Sequence, residues 1–138
     1  MKRAPIAVTP ARIFAVALLA RVVHWTRHPV RVPLVGDAFE YESYARSLVE
    51  TGRYLGPNGE LATRMPGYPL FLAALRLVSD GSPEVVVAAQ CLLGAFTCAL
   101  LADLARRFMS EGWAMACGLA AACYFGLIAP AASPLSEC

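Results

Sequence analysis

The side chains with the potential for chemistry are concentrated in one stretch of an otherwise apolar chain, residues 36–69. The chain has 138 residues, of which 58% are hydrophobic, and its mean hydropathy is +0.54. A carboxylate such as Asp37 is able to accept a proton from an attacking hydroxyl group. A guanidinium such as Arg64 offers a planar fork of donors that suits a phosphate. We therefore expect the chemistry of this apolar chain in its polar stretch.

The first half of the polar stretch predicts an amphipathic helix at about residues 38–51. Apolar and aromatic side chains recur there at helical spacing on one face. Asp37 would be the N-cap, Glu40 would complete a variant of the capping box, and Gly52 would end the helix. An N-cap role would by itself explain Asp37, so a structural and a chemical interpretation of this residue both remain open.

The second half of the stretch predicts a loop and then a short apolar helix. Residues 56–59 form a strong β-turn signal with proline at its second position. Arg64 is followed by two prolines and a glycine within residues 66–69, which favours an irregular loop. The short helix is predicted at about residues 70–78. Contact with lipid headgroups would also explain Arg64.

Three apolar stretches predict membrane crossings, at about residues 6–25, 85–105 and 113–130. An outer loop, about residues 26–83, separates the first two. Basic residues near the start of the chain and after the second crossing predict that the N-terminus faces the cytoplasm. The predicted fold class is thus an all-α membrane protein in the cytoplasmic (inner) membrane. Its single membrane domain has three transmembrane helices and an amphipathic juxtamembrane helix in the first outer loop.

Two finer expectations concern the membrane helices. Arg12 and Arg21 lie inside the first apolar stretch, and we expect both side chains to snorkel towards a membrane surface. Gly118, Ala122 and Gly126 recur every four residues in the third stretch. Such a stripe of small residues permits close contact between helices in lipid.

Charge and cysteine content set limits on the function. The formal net charge is only +2, so no basic surface indicates binding to nucleic acid. The five cysteines include no C-x-x-C pair. Four of them lie in the apolar segments, and we interpret the cysteines as small packing residues rather than as metal or redox ligands.

The order of motifs resembles the N-terminal part of the GT-C-fold membrane glycosyltransferases, in particular the protein-mannosyltransferase and aminoarabinose-transferase-like group (glycosyltransferase family 39 and its relatives). A short first membrane helix leads to G-D-x-x-x-Y-x-x-x-A, then T-G-x-Y, then T-R-x-P-G-Y-P-L-F, and an apolar helix with Q-x-L-L-G follows. The resemblance extends over about residues 12–138. Its matching residues are Gly36, Asp37, Tyr41, Ala45, Thr51, Gly52, Tyr54, Arg64, Pro66, Gly67, Tyr68, Pro69, Gln90 and Gly94.

The resemblance implies an enzyme that transfers a sugar from a polyprenyl-phosphate-linked donor to a glycan, lipid or protein acceptor at the outer membrane face. Asp37 matches an acidic residue of the first outer loop that acts in catalysis, and Glu137 resembles a second acidic residue that follows a later crossing. Arg64 occupies the loop region that approaches the donor phosphate. Tyr41 and Tyr68 belong to the same substrate loop, where interfacial packing is the alternative to stacking on a sugar.

The chain departs from the family in two respects. Arg64 and Met65 stand where some relatives have an acidic metal ligand and a lysine, which leaves a divalent metal as an open alternative rather than an implied cofactor. Family members are several times longer, so the resemblance implies an N-terminal fragment that alone can lack groups needed for turnover. The competing interpretation is a small non-enzymatic membrane protein of three helices whose outer loop binds a partner.

Overall fold

The computed structural model describes residues 9–29, 34, 36–61 and 64–132. The secondary structure over these ranges is helical, which confirms the predicted all-α class. In addition, Leu55 and Leu61 form an isolated antiparallel β-bridge. Contacts divide the chain into two compact units, described in turn below. The helices are α1 Pro10–Arg27, α2 Asp37–Thr51, α3 Gly67–Ser79, α4 Pro83–Ala105, α5 Glu111–Cys123 and α6 Phe125–Ile128, followed by a 3₁₀ turn at Pro130–Ala132.

Helix α4 is the one helix of the described residues that is long and apolar enough to cross a membrane, judged by length and composition. It has 23 residues and a mean hydropathy of 2.2 over its most apolar window. At 1.5 Å per residue it is about 34 Å long, which matches a hydrocarbon core of about 30 Å. Leu92, Leu93 and Phe96 are among its half-exposed apolar side chains. The second predicted crossing is thus confirmed as an apolar helix of membrane-spanning length.

The first predicted crossing is a helix with a more polar character. Helix α1 starts at Pro10 and ends at Arg27, whereas residues 6–8 of the predicted segment lie outside the described residues. Arg12 is exposed, but Arg21 is only 1% exposed. The prediction that Arg21 snorkels is therefore wrong, because its guanidinium finds hydrogen-bond acceptors inside the first unit.

The third apolar segment is not the continuous helix predicted for residues 113–130. Helix α5 ends at Cys123, and Tyr124 is extended, with φ −72° and ψ 115°. With 13 residues, α5 is about 20 Å long, which is shorter than the hydrocarbon core. The Tyr124 ring folds over Gly126, where a Cβ atom would lie 2.7 Å from the ring. The glycine thus makes room for the side chain at the break.

The first unit consists of residues 9–28 together with residues 90–132, and its helices pack through small residues. A Cβ atom at Gly118 of α5 would lie 2.6 Å from Ile13 Cδ1 and 2.7 Å from Ala102 Cβ. Ala122 is fully buried beside the same cluster. The predicted close contact of the small-residue stripe is confirmed in α5.

The second unit contains α2, α3 and the start of α4, and it holds the polar stretch. Helices α2 and α3 pack against each other around Ala45, Leu72 and Ala73, which are buried. Gly52 ends α2 with a φ of 67°, as its sequence predicts, because glycine adopts a left-handed conformation without strain. The β-turn at residues 56–59 is also present, with the Gly59 amide donating to the Gly56 carbonyl at 3.0 Å.

Helix α3 starts earlier than its sequence predicts. Residues 67–69 belong to the first turn of the helix and not to the loop. Pro69 is tolerated there because the amide groups of a first helical turn have no intrahelical acceptor to lose. The loop that carries Arg64 therefore ends at Pro66.

Candidate functional site

Arg64 joins the loop before α3 to the first turn of α2. Its Nη2 atom lies 2.7 Å from Asp37 Oδ1, and its Nε atom donates to Glu40 Oε2 at 2.9 Å. One guanidinium edge is therefore shared between two carboxylates. The structure thus brings together Asp37 and Arg64, which the resemblance assigns to different roles in one reaction.

Asp37 is not the N-cap of α2, so this part of the sequence prediction is wrong. Gly36 occupies that position with a φ of 60°, and no side-chain hydrogen bond caps the helix. The Gly36 carbonyl instead accepts hydrogen bonds from the Phe39 and Glu40 amides. Because glycine tolerates this backbone conformation, the helix begins one residue earlier than predicted. The Asp37 carboxylate then becomes free to pair with Arg64.

The capping-box role predicted for Glu40 fails for the same reason. Its carboxylate reaches outward to Arg64 rather than back to the start of the helix. Both carboxylates lie in the first turn of α2, where the positive end of the helix dipole favours negative charge. The helix terminus and Arg64 together stabilise two neighbouring anions.

Tyr41 and Tyr68 form the aromatic floor of the site. The Arg64 guanidinium carbon lies 5.8 Å from the centre of the Tyr41 ring, within the range of a cation–π contact. The Tyr41 and Tyr68 rings meet edge to face, with centroids 5.2 Å apart. The two tyrosines therefore pack together against the cluster between α2 and α3, and Tyr41 lies beneath the cation. Stacking of either ring on a sugar stays a prediction.

Tyr54 anchors the loop that carries Arg64, a role that sequence reasoning missed. Its hydroxyl donates towards the backbone carbonyls of Arg64 and Met65, at 3.3 Å and 3.4 Å. Its ring stacks on Tyr44 with centroids 4.8 Å apart. Burial raises the pKa of the Tyr54 hydroxyl, and the neighbouring Tyr44 and Tyr41 hydroxyls raise it further. The sequence feature that could have indicated this role is the position of Tyr54 in the loop, two residues after Gly52, which ends α2.

The site remains open to solvent and carries a net negative charge. The side chains of Arg64 and Asp37 are 36% and 41% exposed, so a ligand is able to reach both. The hydrogen bond to Glu40, followed by the negative charge of Asp37, raises the pKa of Arg64 above its ordinary value. One cation and two carboxylates leave the cluster one charge negative. Any anion that approached the guanidinium would therefore have to compete with the carboxylates for it.

A second ion pair ties α2 to α3 on the opposite face of α2. Glu42 accepts a hydrogen bond from Arg76, and both side chains are 18% exposed. Burial raises the pKa of Glu42, and this effect outweighs the opposing influence of Arg76 and Arg46. The pair borders a groove of about 670 Å³ that is also lined by Phe39. This groove lies away from Asp37, so it is not part of the candidate site.

Two predictions concern features beyond this cluster. Glu137, the predicted second acidic residue, lies outside the described residues. Within the described part of the chain, no group of three or more His, Cys, Asp or Glu side chains is arranged to hold a metal ion. Between the Asp37 and Glu40 carboxylates, the place that a cation would take is filled by Arg64.

Comparison with known proteins gave no match: no protein-family model, no curated protein and no solved structure is significantly similar to this chain.

Proposed function

We propose that the chain is the N-terminal part of a GT-C-type membrane glycosyltransferase that uses a polyprenyl-phosphate-linked sugar. The observation that carries this proposal is the contact between Asp37 and Arg64, which lie 2.7 Å apart although 27 residues separate them. In the proposed reaction the base takes the acceptor's proton and the cation binds the donor phosphate, so the two groups must flank the same anomeric carbon. Their closeness supports a shared site.

In the proposed reaction, Asp37 accepts the proton of the acceptor nucleophile as that nucleophile attacks the anomeric carbon. The bond between this carbon and the phosphate oxygen breaks, and the polyprenyl phosphate departs with the bonding electrons. Arg64 stabilises the negative charge that develops on the departing phosphate. Because the phosphate is already a good leaving group, no strong general acid is needed. A single displacement of this kind inverts the anomeric configuration.

The donor must share Arg64 with the two carboxylates. Asp37 occupies Nη2 and Glu40 occupies Nε, so a phosphate that approaches the same edge displaces at least one of them. Displacement of Asp37 would release its carboxylate towards the acceptor. Glu40 would continue to orient the guanidinium. The proposed donor therefore both binds at the site and frees the base.

The proposed membrane arrangement has three crossings, formed by α1, by α4 and by α5 with the segment that follows it. The N-terminus then faces the cytoplasm, and α2, α3 and the candidate site face outward, at the surface of the cytoplasmic membrane. Glu137 would lie on the same outer side and serve as a second acidic residue. The half-exposed apolar face of α4 would contact lipid.

Cysteine labelling tests this arrangement. Asn58 in the β-turn and Glu111 at the start of α5 are both exposed. In a cysteine-free background, we expect a single cysteine at position 58 to react with a membrane-impermeant maleimide from outside the cell. A cysteine at position 111 should react only after the membrane is permeabilised. The cysteine-free chain is the control for background labelling, and reaction of both positions from one side contradicts the topology.

The function itself is tested by ligand binding. The chain in lipid nanodiscs should bind undecaprenyl phosphate saturably and at least about 10-fold more tightly than undecaprenol, because a guanidinium recognises the phosphate and not the alcohol. Equal affinity for the two lipids would contradict the proposed donor site. It would favour instead the small membrane protein whose outer loop binds a partner.

A further inference from the structure

Arg21 is a buried cation inside the first unit. Its side chain is 1% exposed, and the ion pairs formed by the described residues do not include it. Burial of a charge is unfavourable unless hydrogen bonds or an opposite charge compensate for it. Apolar packing alone therefore does not explain why this charged side chain is buried.

The guanidinium is held by two backbone carbonyls from different parts of the chain. Nη1 donates to the Ala17 carbonyl of its own helix at 2.9 Å. Nη2 donates to the Leu127 carbonyl at 3.2 Å and contacts the Cys98 sulfur at 3.6 Å. Nε is buried and has no hydrogen-bond partner among the described residues. The bond to Leu127 joins α1 to α6.

Leu127 belongs to α6, directly after the break at Tyr124. The last carbonyls of a helix have no intrahelical donor. In a bilayer, such freed backbone groups are tolerated only where the protein itself satisfies them. Arg21 supplies a donor to the Leu127 carbonyl near the end of α6. The buried guanidinium and this free carbonyl therefore satisfy each other, and the bond ties the segment after the break to α1.

Gly94 of α4 makes room for the guanidinium. A Cβ atom at this position would lie 2.7 Å from Arg21 Nε and 3.4 Å from Arg21 Cζ. Any larger residue would push the guanidinium out of its place. Three helices thus contribute to one arrangement: α1 the cation, α4 the space and α6 the acceptor.

We propose that Arg21 and Gly94 form a lock that holds the break in the third apolar segment. The lock fixes where α5 ends and how the chain continues through α6. Arg21 is a positioning residue in this arrangement. The proposal stands on the contacts of the first unit alone and is independent of the proposed glycosyltransferase activity.

The distance across the break tests the lock in the full chain in nanodiscs. Spin-labelled amino acids at Trp113 and Ile128 leave the native cysteines in place, and a continuous helix would separate these two backbones by about 22 Å. We expect Arg21→Met to shift the distance distribution from the wild-type value towards the continuous-helix value. The matched control is Arg12→Met, which changes an exposed arginine of the same helix and should leave the distance unchanged.

Substitution of Gly94 provides a second and independent test of the proposal. Gly94→Ala should produce the same shift as Arg21→Met, because the added methyl group displaces the guanidinium. In an Arg21→Ala background, Gly94→Ala should add no further shift, since truncation of the arginine at Cβ leaves the space beside Gly94 vacant. Gly112→Ala, at a glycine with nothing within 4 Å of an added Cβ, is the control. If Arg21→Met fails to accumulate, the Gly94→Ala variant provides the test. A distance between positions 113 and 128 in that variant that equals the wild-type distance overturns the proposal.

Discussion

Asp37→Asn abolishes most sugar transfer if the proposed base is correct, with an expected loss of about 10²–10⁴-fold. Asparagine has the size of aspartate but no carboxylate that takes up a proton at neutral pH. Because Gly36 and not Asp37 is the N-cap, the helix should form equally well. Glu40 still binds Arg64, which should keep the loop in place.

This loss is measured as transfer from the polyprenyl-phosphate-linked sugar in reconstituted membranes, normalised to the amount of protein. The assay uses the longest reading frame that contains the chain. Glu50→Gln, which removes an exposed carboxylate from the far face of the same helix, is the matched control and should keep transfer. Near-normal transfer by Asp37→Asn would show that Asp37 has only a structural role. Helical content measured by circular dichroism separates loss of chemistry from loss of fold.

Arg64→Ala produces the largest expected loss of donor affinity, at least about 10-fold, because the charge and the donor fork for the phosphate disappear together. Arg64→Lys should lose less, since lysine keeps the charge but not the planar fork. Affinity is measured for undecaprenyl phosphate in nanodiscs. Arg53→Ala is the matched control, because Arg53 is an exposed arginine of the same unit.

The same binding assay separates the two residues of the pair. If phosphate competes with Asp37 for Arg64, then Asp37→Asn should bind undecaprenyl phosphate more tightly than the wild type, while Glu50→Gln should not. Unchanged affinity in Arg64→Ala would reduce Arg64 to a contact with lipid headgroups. Weakened affinity in Arg64→Ala with no change in Asp37→Asn would retain the phosphate site and reject the competition.

Local features of the structure follow from the sequence, because they depend on residues close along the chain. The apolar run predicted at residues 85–105 forms the helix Pro83–Ala105, because a helix satisfies the backbone polar groups of such a segment within itself. Helix α2 ends at Gly52 as predicted. The signal there is the conformational freedom of a single residue.

Helix starts were less predictable, because several signals compete over one turn. Asp37 and Gly36 both suit an N-cap, and Gly36 takes this position because glycine tolerates the positive φ found there. Pro69 was expected to keep its surroundings out of helix. It lies instead in the first turn of α3, where proline has no hydrogen bond to break.

Only the tertiary structure decided which charged groups meet. Arg64 pairs with Asp37 across 27 residues, and Arg21 reaches Leu127 across 106 residues. No local pattern encodes such contacts, because they depend on how α2 packs on α3 and on where α5 breaks. Composition predicted that Arg21 would move to a membrane surface. The Leu127 carbonyl near the end of α6 and the space at Gly94 instead gave this cation a place in the interior, since hydrogen bonds offset part of the unfavourable burial of its charge.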